Sequence, residues 1–422
     1  MFCFLVAPQN SPAQSFDRLE RDRMKDILKI VKTEVKKNYY DPEFHGIDLE
    51  ARFKKAEDRL AQVTSTPQAL GVIAQVLVDF DDSHLFFVPP PTTVAVEYGW
   101  KMQAIGDKVF VTEVKPGSDA DKKGLKRGDQ VLSVNGFPPS KRELWKILYT
   151  YNAISKKESL KLNVASPGET TPRELDVRSE FKRSPTSINF DTYFKFNFDN
   201  YYNEENDKHR FLTTGNITVW KMPSFGDDPA AVDALVGKAK VGGSMILDLR
   251  GNPGGIIRTM ERLASNIFEK DLTIAELKSR KAKDPMAAKT RGKEAFGGKL
   301  VVLVDSNSAS CSEIFARLVQ LEKRGIVLGD VSAGAVMQSR RFAQEMGNDS
   351  IIPFAISISD ADVIMSDGKS LEHVGVIPDE LILPTPEDMA ARRDPVLARA
   401  VELLGGKVSP ADAALLSKYY WK

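Results

Sequence analysis

The residues able to do chemistry at neutral pH are few. Histidine occurs four times, at His45, His84, His209 and His373, and cysteine twice, at Cys3 and Cys311. Imidazole is the side chain whose unperturbed pKa, about 6.5, lies nearest neutrality, so candidates for a general base are quickly counted. A serine cluster, Ser306-Asn307-Ser308-Ala309-Ser310-Cys311-Ser312, follows the apolar run KLVVLVD and opens a helix-like stretch from Glu313 to Gln320. A serine at such a strand-to-helix junction has its hydroxyl held at the strand end, with the next N–H pointing the same way. That hydroxyl either caps the helix or, beside a base, attacks a substrate. Upstream, the apolar strand-like run of Leu247-Asp248-Leu249-Arg250 passes into Gly251-Asn252-Pro253-Gly254-Gly255. Glycines at a strand end let backbone N–H groups approach a ligand, where they can stabilise an oxyanion; a plain turn is the simpler alternative. Asp82-Ser83-His84 and Glu372-His373 place a histidine beside a hydroxyl or a carboxylate.

These residues need elements to hold them. Over residues 18–88 the periodicity is helical: Met24, Ile27, Leu28, Val31 and Val35, extended by Tyr39, then Leu49, Phe53, Ala56, Leu60 and Val63. Thr66-Pro67 reads as an N-cap followed by proline at the first helical position. The helix after it ends at DDSHLFFVPPP, where the prolines are expected to stop regular structure. From about 95 to 180, short β-rich runs alternate with glycine-containing turns. From about 181 to 404, the buried runs NITVWKM, SMILDLR, KLVVLVD and GIVLGD alternate with helical DPAAVDALVGKAK, IIRTMERLASNIF and SEIFARLVQLEKR, an α/β pattern. The basic segment 278–294 reads as a solvated excursion, and 405–422 as an amphipathic tail.

Bulk composition narrows the class. Lys plus Arg number 59 and Asp plus Glu 58 in 422 residues, so nothing points to nucleic acid as a partner. No apolar run is long enough to span a membrane as a helix. No Cys/His spacing suits zinc, and no metal or cofactor is implied. The start, MFCFLVAPQNSPAQSFDR, reads as a signal remnant or a disordered terminus over 1–17, which gives a periplasmic or secreted location, with a cytoplasmic one as the alternative.

Two resemblances organise the chain. Val111-Thr112-Glu113-Val114, Pro116-Gly117-Ser118, Gly124-Leu125 and Gly128-Asp129-Gln130-Val131-Leu132-Ser133-Val134-Asn135-Gly136 resemble a PDZ domain. Such domains add an extended peptide to a sheet edge. The resemblance puts the carboxylate-binding, substrate-binding loop near Tyr98-Gly99-Trp100, the weakest part of the match. With that module ahead of them, LDLRGNPGG, SASCSEIFARL, GIVLGDVSAG and DGKSLEHVGVIPDE stand in the order of the C-terminal processing peptidase and tricorn core protease superfamily, and the chain is identified as a resembling member over about 20–404.

The resemblance implies a crotonase/ClpP-like spiral α/β protease core at 181–404, a PDZ domain at 95–180 and an N-terminal helical region at 18–94 carrying Ser83-His84. It implies that Ser310, the middle serine, is the nucleophile. Processing peptidases take their base from a lysine, and at that position this chain has Ala335, which accepts no proton. The tricorn-like branch uses a Ser-His-Ser-Glu tetrad instead, which maps onto Ser310, His84, Ser83 and Glu372. The expected oxyanion hole is the Cys311 N–H with that of Gly254 or Gly255. The rival base is His373, expected to point away from the site if it alternates with Glu372 along a strand. The implied activity is that of a serine endopeptidase acting on protein or peptide substrates through an acyl-enzyme. The alternatives are a non-catalytic ligand- or peptide-binding protein on the same scaffold, or a crotonase-type acyl-transfer or hydratase enzyme. Oligomeric state, a homo-oligomer included, is left open.

Overall fold

The computed structural model describes residues 16–169, 171–183, 208–347 and 351–416. The leader reading, with Cys3, falls outside the described residues up to residue 15, as does the end of the tail beyond 416. Among the described residues no helix is long and apolar enough to cross a membrane.

Three helices come first: α1 Arg18–Asn38, α2 Leu49–Leu60 and α3 Thr66–Val78. The predicted stripe of α1 is the buried one, Met24, Ile27, Leu28, Val31 and Val35. The start of α3 lies one residue earlier than expected: Ser65 is the N-cap and Pro67 sits in the first turn. The prolines stop regular structure at Val88, and a short strand fits ahead of them. β1 Phe86–Val88 forms directly after His84 and pairs antiparallel with Ser357, Ile356 and Ala355 of a long strand far downstream. Leu85 and Phe87 are thereby buried among the three helices.

Next come β2 Val94–Glu97, β3 Trp100–Ile105, β4 Lys108–Val114, β5 Gln130–Val134, β6 Ser159–Ala165, β7 Arg173–Arg178 and β8 Glu180–Arg183. Strands β3 to β7 form one sheet in sequence order, with β3 at its edge, and β2 pairs with β8 where the chain enters and leaves this module. A helix, α4 Leu144–Tyr149, runs on into a wider-pitched turn at Thr150–Ile154.

The remainder supplies β9 Arg210–Thr214, β10 Ile217–Lys221, α5 Pro229–Ala239, β11 Ser244–Asp248, α6 Ile257–Ile267, β12 Leu272–Lys278, β13 Met286–Ala288, β14 Lys299–Val304, α7 Cys311–Leu321, β15 Ile326–Gly329, β16 Met337–Met346, β17 Ile352–Met365, β18 Glu380–Leu381 and α8 Pro395–Leu403. The strand order β18-β15-β14-β11-β10-β9 makes a sheet that is parallel except at β9. Its central strands are apolar on both faces because both faces are covered. Met245, Leu247, Val302 and Val304 face α5, α6 and α7, whereas Ile246, Val301 and Leu303 face Val396, Leu397 and Val401 of α8. A second sheet, β1-β17-β12-β13 with β16 on β17, packs Phe354, Ile356 and Ile358 under the N-terminal helices.

The basic segment is not wholly solvated. β13 lies inside it, with Met286 and Ala288 buried, so a short apolar alternation hidden among lysines forms a hairpin with β12.

Candidate active site

The serine loop follows β14, as read, and its three alternating serines have different surroundings. Ser308 and Ser312 are fully buried: the Ser308 hydroxyl donates to Leu249 O (2.8 Å) and that of Ser312 to Asn252 O (2.9 Å). They stitch the serine loop to the LDLRGN turn. Ser310 alone remains partly accessible. Its φ of +55° and ψ of −119° lie where non-glycine residues are rare, a strain that persists only when the surroundings over-determine it.

Those surroundings centre on Glu313, a residue not singled out above. Its fully buried carboxylate accepts N–H bonds from Ser310 (3.0 Å), Gly334 (2.7 Å) and Ala335 (3.0 Å), and the Ser332 hydroxyl (2.6 Å). Burial pushes the Glu313 carboxyl up to about 7 against these bonds. The signal was in the sequence: Ser310-Cys311-Ser312-Glu313 fits the S-x-x-E pattern at a helix start. Ala335 returns a bond, its carbonyl accepting the Ser310 N–H at 2.9 Å. So Ala335, where the resemblance to processing peptidases would put a lysine, is here a backbone crossbeam.

The next residue reaches the second half of the site. The Val336 N–H donates to Glu372 Oε2 (2.7 Å), which also accepts the Ser83 hydroxyl (2.9 Å), while Glu372 Oε1 accepts the Ser83 N–H (2.9 Å). Ser83 Oγ lies 2.8 Å from His84 Nδ1. An ionised carboxylate only accepts, so Ser83 donates to Glu372 and must accept from Nδ1–H of His84. That leaves Nε2 of His84 as the unprotonated nitrogen. Burial lowers the His84 pKa, opposed by the negative charge of Asp82. Burial raises that of Glu372, and Asp82 raises it further, opposed by the N–H bonds from Ser83 and Val336.

His373 behaves differently from the expectation. Glu372 and His373 lie in a turn, not a strand, with His373 at φ +60°. Its Nε2 is 2.7 Å from Asp81 O and 3.7 Å from Glu372 Oε1. The imidazole is engaged with that carbonyl, although not by the alternation argument.

The two glycines differ in their hydrogen bonds. The Gly254 N–H donates to Asn252 Oδ1 (2.9 Å) and is occupied. The N–H groups of Gly255 and Cys311 have no acceptor among the described residues. Gly254 instead acts through its lack of a side chain. A β-carbon there would lie 2.7 Å from Ser310 Cβ and 2.9 Å from Cys311 N, so only glycine lets the strand pass this close. The Cys311 side chain is buried, its thiol against Gly255 O (3.4 Å), and burial pushes its pKa up to about 12, so it is held as a neutral thiol.

Tyr98, Gly99 and Trp100 lie at the turn between β2 and β3, with Gly99 at φ +74°. Tyr98 and Trp100 line a cavity between β3 and the helical segment 144–154, together with Met102, Ile147, Leu148 and Tyr151. The buried Trp100 Nε1–H in its wall has no acceptor among the described residues. The same strand grips the serine loop from behind. Gln103 Nε2 donates to Asp305 Oδ2 (2.7 Å), and Asp305 Oδ1 accepts the Gly251 N–H (2.8 Å). Ser306 donates to Ala104 O, and the Gly106 N–H donates to Asp330 Oδ2 (2.8 Å).

With this arrangement in view, comparison with known proteins is informative. Residues 215–382 match the model of peptidase family S41, and residues 96–164 that of the PDZ domain. Both matches agree with the resemblance to the C-terminal processing peptidase and tricorn core protease superfamily. It is 22% identical over 377 residues to a probable CtpA-like serine protease of Staphylococcus aureus, and 25% over 294 residues to one of Staphylococcus haemolyticus. The first alignment takes in 88% of this chain and 66% of that relative, the second 68% and 52%; the chain thus spans under two thirds of their lengths. The fold is similar to that of mature CPAF (TM-score 0.64, 14% identity, 88% of this chain and 94% of that one). It is also similar to that of the photosystem II D1 C-terminal processing protease (TM-score 0.53, 19% identity, 86% and 94%). These support the spiral α/β core with its PDZ module.

Proposed function

We propose that the protein is a serine endopeptidase of the tricorn-like type, using Ser310, His84, Ser83 and Glu372. The observation that carries the reading is the oriented chain from Glu372 through Ser83 to His84, joined to Ser310 by one peptide step, Ala335 to Val336. His84 Nε2 takes the Ser310 proton as Oγ attacks the scissile carbonyl; the resulting imidazolium gives that proton to the leaving amine. Water then releases the acyl group by the reverse sequence. The Cys311 and Gly255 N–H groups receive the oxyanion, with Gly254 as the spacer that lets them converge. Ser83, a neutral relay, passes on orientation more than charge. The imidazolium is therefore less stabilised than it would be by a carboxylate in direct contact.

The substrate is a protein or peptide. The cavity beside β3 suits a peptide side chain or segment, with the Trp100 indole N–H as a spare donor to a peptide carbonyl. Through Gln103 and Ala104 that strand is hydrogen-bonded to the loop carrying Ser310, so a peptide in the groove bears on the nucleophile turn.

The test is covalent labelling by a fluorophosphonate. The wild-type protein should be labelled, and Ser310→Ala and His84→Ala should not. Equal labelling of all three would discard this site.

A further inference from the structure

Ser83 and His84 sit in a turn that must be rigid if Nε2 is to meet Ser310. Two consecutive backbone N–H groups fix it, each gripped by a different carboxylate. The Ser83 N–H donates to Glu372, and the His84 N–H to Asp82 Oδ1 (2.9 Å). Asp82 is 3% exposed. Its Oδ1 also accepts the Ser359 hydroxyl (2.6 Å) and its Oδ2 that of Tyr39 (3.0 Å). Tyr39 is fully buried at the end of α1, and Ser359 is fully buried in β17. One buried carboxylate thus ties the backbone of His84 to two elements packed elsewhere in the core, by bonds of the stronger, charge-assisted kind.

We infer that Asp82 is a positioning residue of the reaction: it sets where the His84 ring stands and keeps a negative charge behind it. The inference rests on the proposed function. Asp82 touches neither Ser310 nor the oxyanion donors, so it acts only through His84. Its charge favours the imidazolium, opposing burial. The other groups facing this region are Tyr39, Tyr40 and Asp41 from the end of α1, Asp362 from β17, Glu372 and His373 from their turn, and Asp81, which is paired with Arg142. Most are acidic or neutral, so Asp82 is part of a negative wall around the imidazole, and the part nearest its backbone.

The experiment measures the fluorophosphonate labelling rate of the full chain as a function of pH. Asp82→Asn should lower the rate roughly 100-fold, the scale expected for an angstrom of misplacement. It should also move the acid limb to lower pH, because the charge that favours imidazolium is gone. Near-UV circular dichroism checks that the variant is folded. Tyr39→Phe keeps the carboxylate and removes one of its bonds; its rate should fall roughly 10-fold with the acid limb in place. Should Asp82→Asn not fold, Tyr39→Phe decides. A folded Asp82→Asn with the wild-type rate and limb, or Tyr39→Phe with the wild-type rate, overturns the inference. His84→Ala runs alongside: labelling at the wild-type rate there would overturn the proposed function itself, whereas its loss beside normal Asp82 variants would remove only this inference.

Discussion

Gly254→Ala should abolish most activity while leaving every reactive side chain in place. The added carbon would lie 2.7 Å from Ser310 Cβ, 2.8 Å from Ala309 O and 2.9 Å from Cys311 N. Two of those atoms are backbone, so no side chain can swing aside. Restoring an ordinary carbon contact of about 3.5 Å requires roughly 0.8 Å of separation between the glycine strand and the nucleophile turn. The two proposed oxyanion donors sit on opposite sides of that gap, Gly255 on the strand and Cys311 on the turn. Donors work at about 2.7–3.1 Å from the oxyanion, so such a displacement is equivalent to losing one of them, about 100- to 1000-fold in kcat. Alanine at φ +93° adds a folding cost of about 1–3 kcal/mol. Gly215, in the β9–β10 hairpin, separates the two effects: its φ is +58° and nothing lies within 4 Å of an added β-carbon. Gly215→Ala should therefore lower the melting temperature without changing turnover. The assay is steady-state cleavage of a protein substrate such as casein, with thermal unfolding of each variant. A folded Gly254→Ala with kcat within threefold of wild type would refute the argument.

Three other outcomes are expected. Because burial lowers the His84 pKa, the rise of kcat/KM with pH should be centred below about 6.5, the ordinary imidazole value; a limb centred above 7 would contradict it. Cys311→Ala should keep kcat within a few-fold, since the proposed oxyanion donor is the N–H and the thiol is held neutral, at a cost of about 1 kcal/mol in stability from the emptied volume; loss of all labelling would restore the thiol as nucleophile. The Glu313 carboxyl titrates at about 7 in the folded chain, above its unfolded value, so its stabilising contribution is complete below about 4.5 and is lost as pH rises through 7. Relative to wild type, Glu313→Gln should gain on the order of 3 kcal/mol in denaturant unfolding between pH 4.5 and 8; a gap independent of pH would mean that the hydrogen bonds outweigh burial.

Much of the molecule is legible because its signals are local. The stripe on α1, the doubly apolar runs of β11 and β14 and the junction at Ser310 each follow from a few neighbouring residue types. Glu313 was visible too, as the fourth residue of a capping pattern, although nothing local says that its carboxylate collects three backbone N–H groups and a hydroxyl from two loops. The expectation that failed was also a local rule: strand alternation did not apply to His373, because the segment turns. The strand β1, by contrast, was unread because its partner β17 lies some 270 residues on.

The sequence by itself determined the residue types and their order: serine before a helix, glycines after a strand, a histidine beside a serine, and alanine where a lysine would serve as base. Only the tertiary structure decided which of them meet. The Glu372–Ser83 contact joins residues 289 positions apart, and that separation carries no periodicity or spacing from which to read it. The proposal of Gly255 over Gly254 as oxyanion donor rests likewise on which N–H the Asn252 side chain has already taken. Hydrogen bonds are directional and saturable, so a donor's availability depends on the whole neighbourhood, and that neighbourhood exists only once the chain has folded.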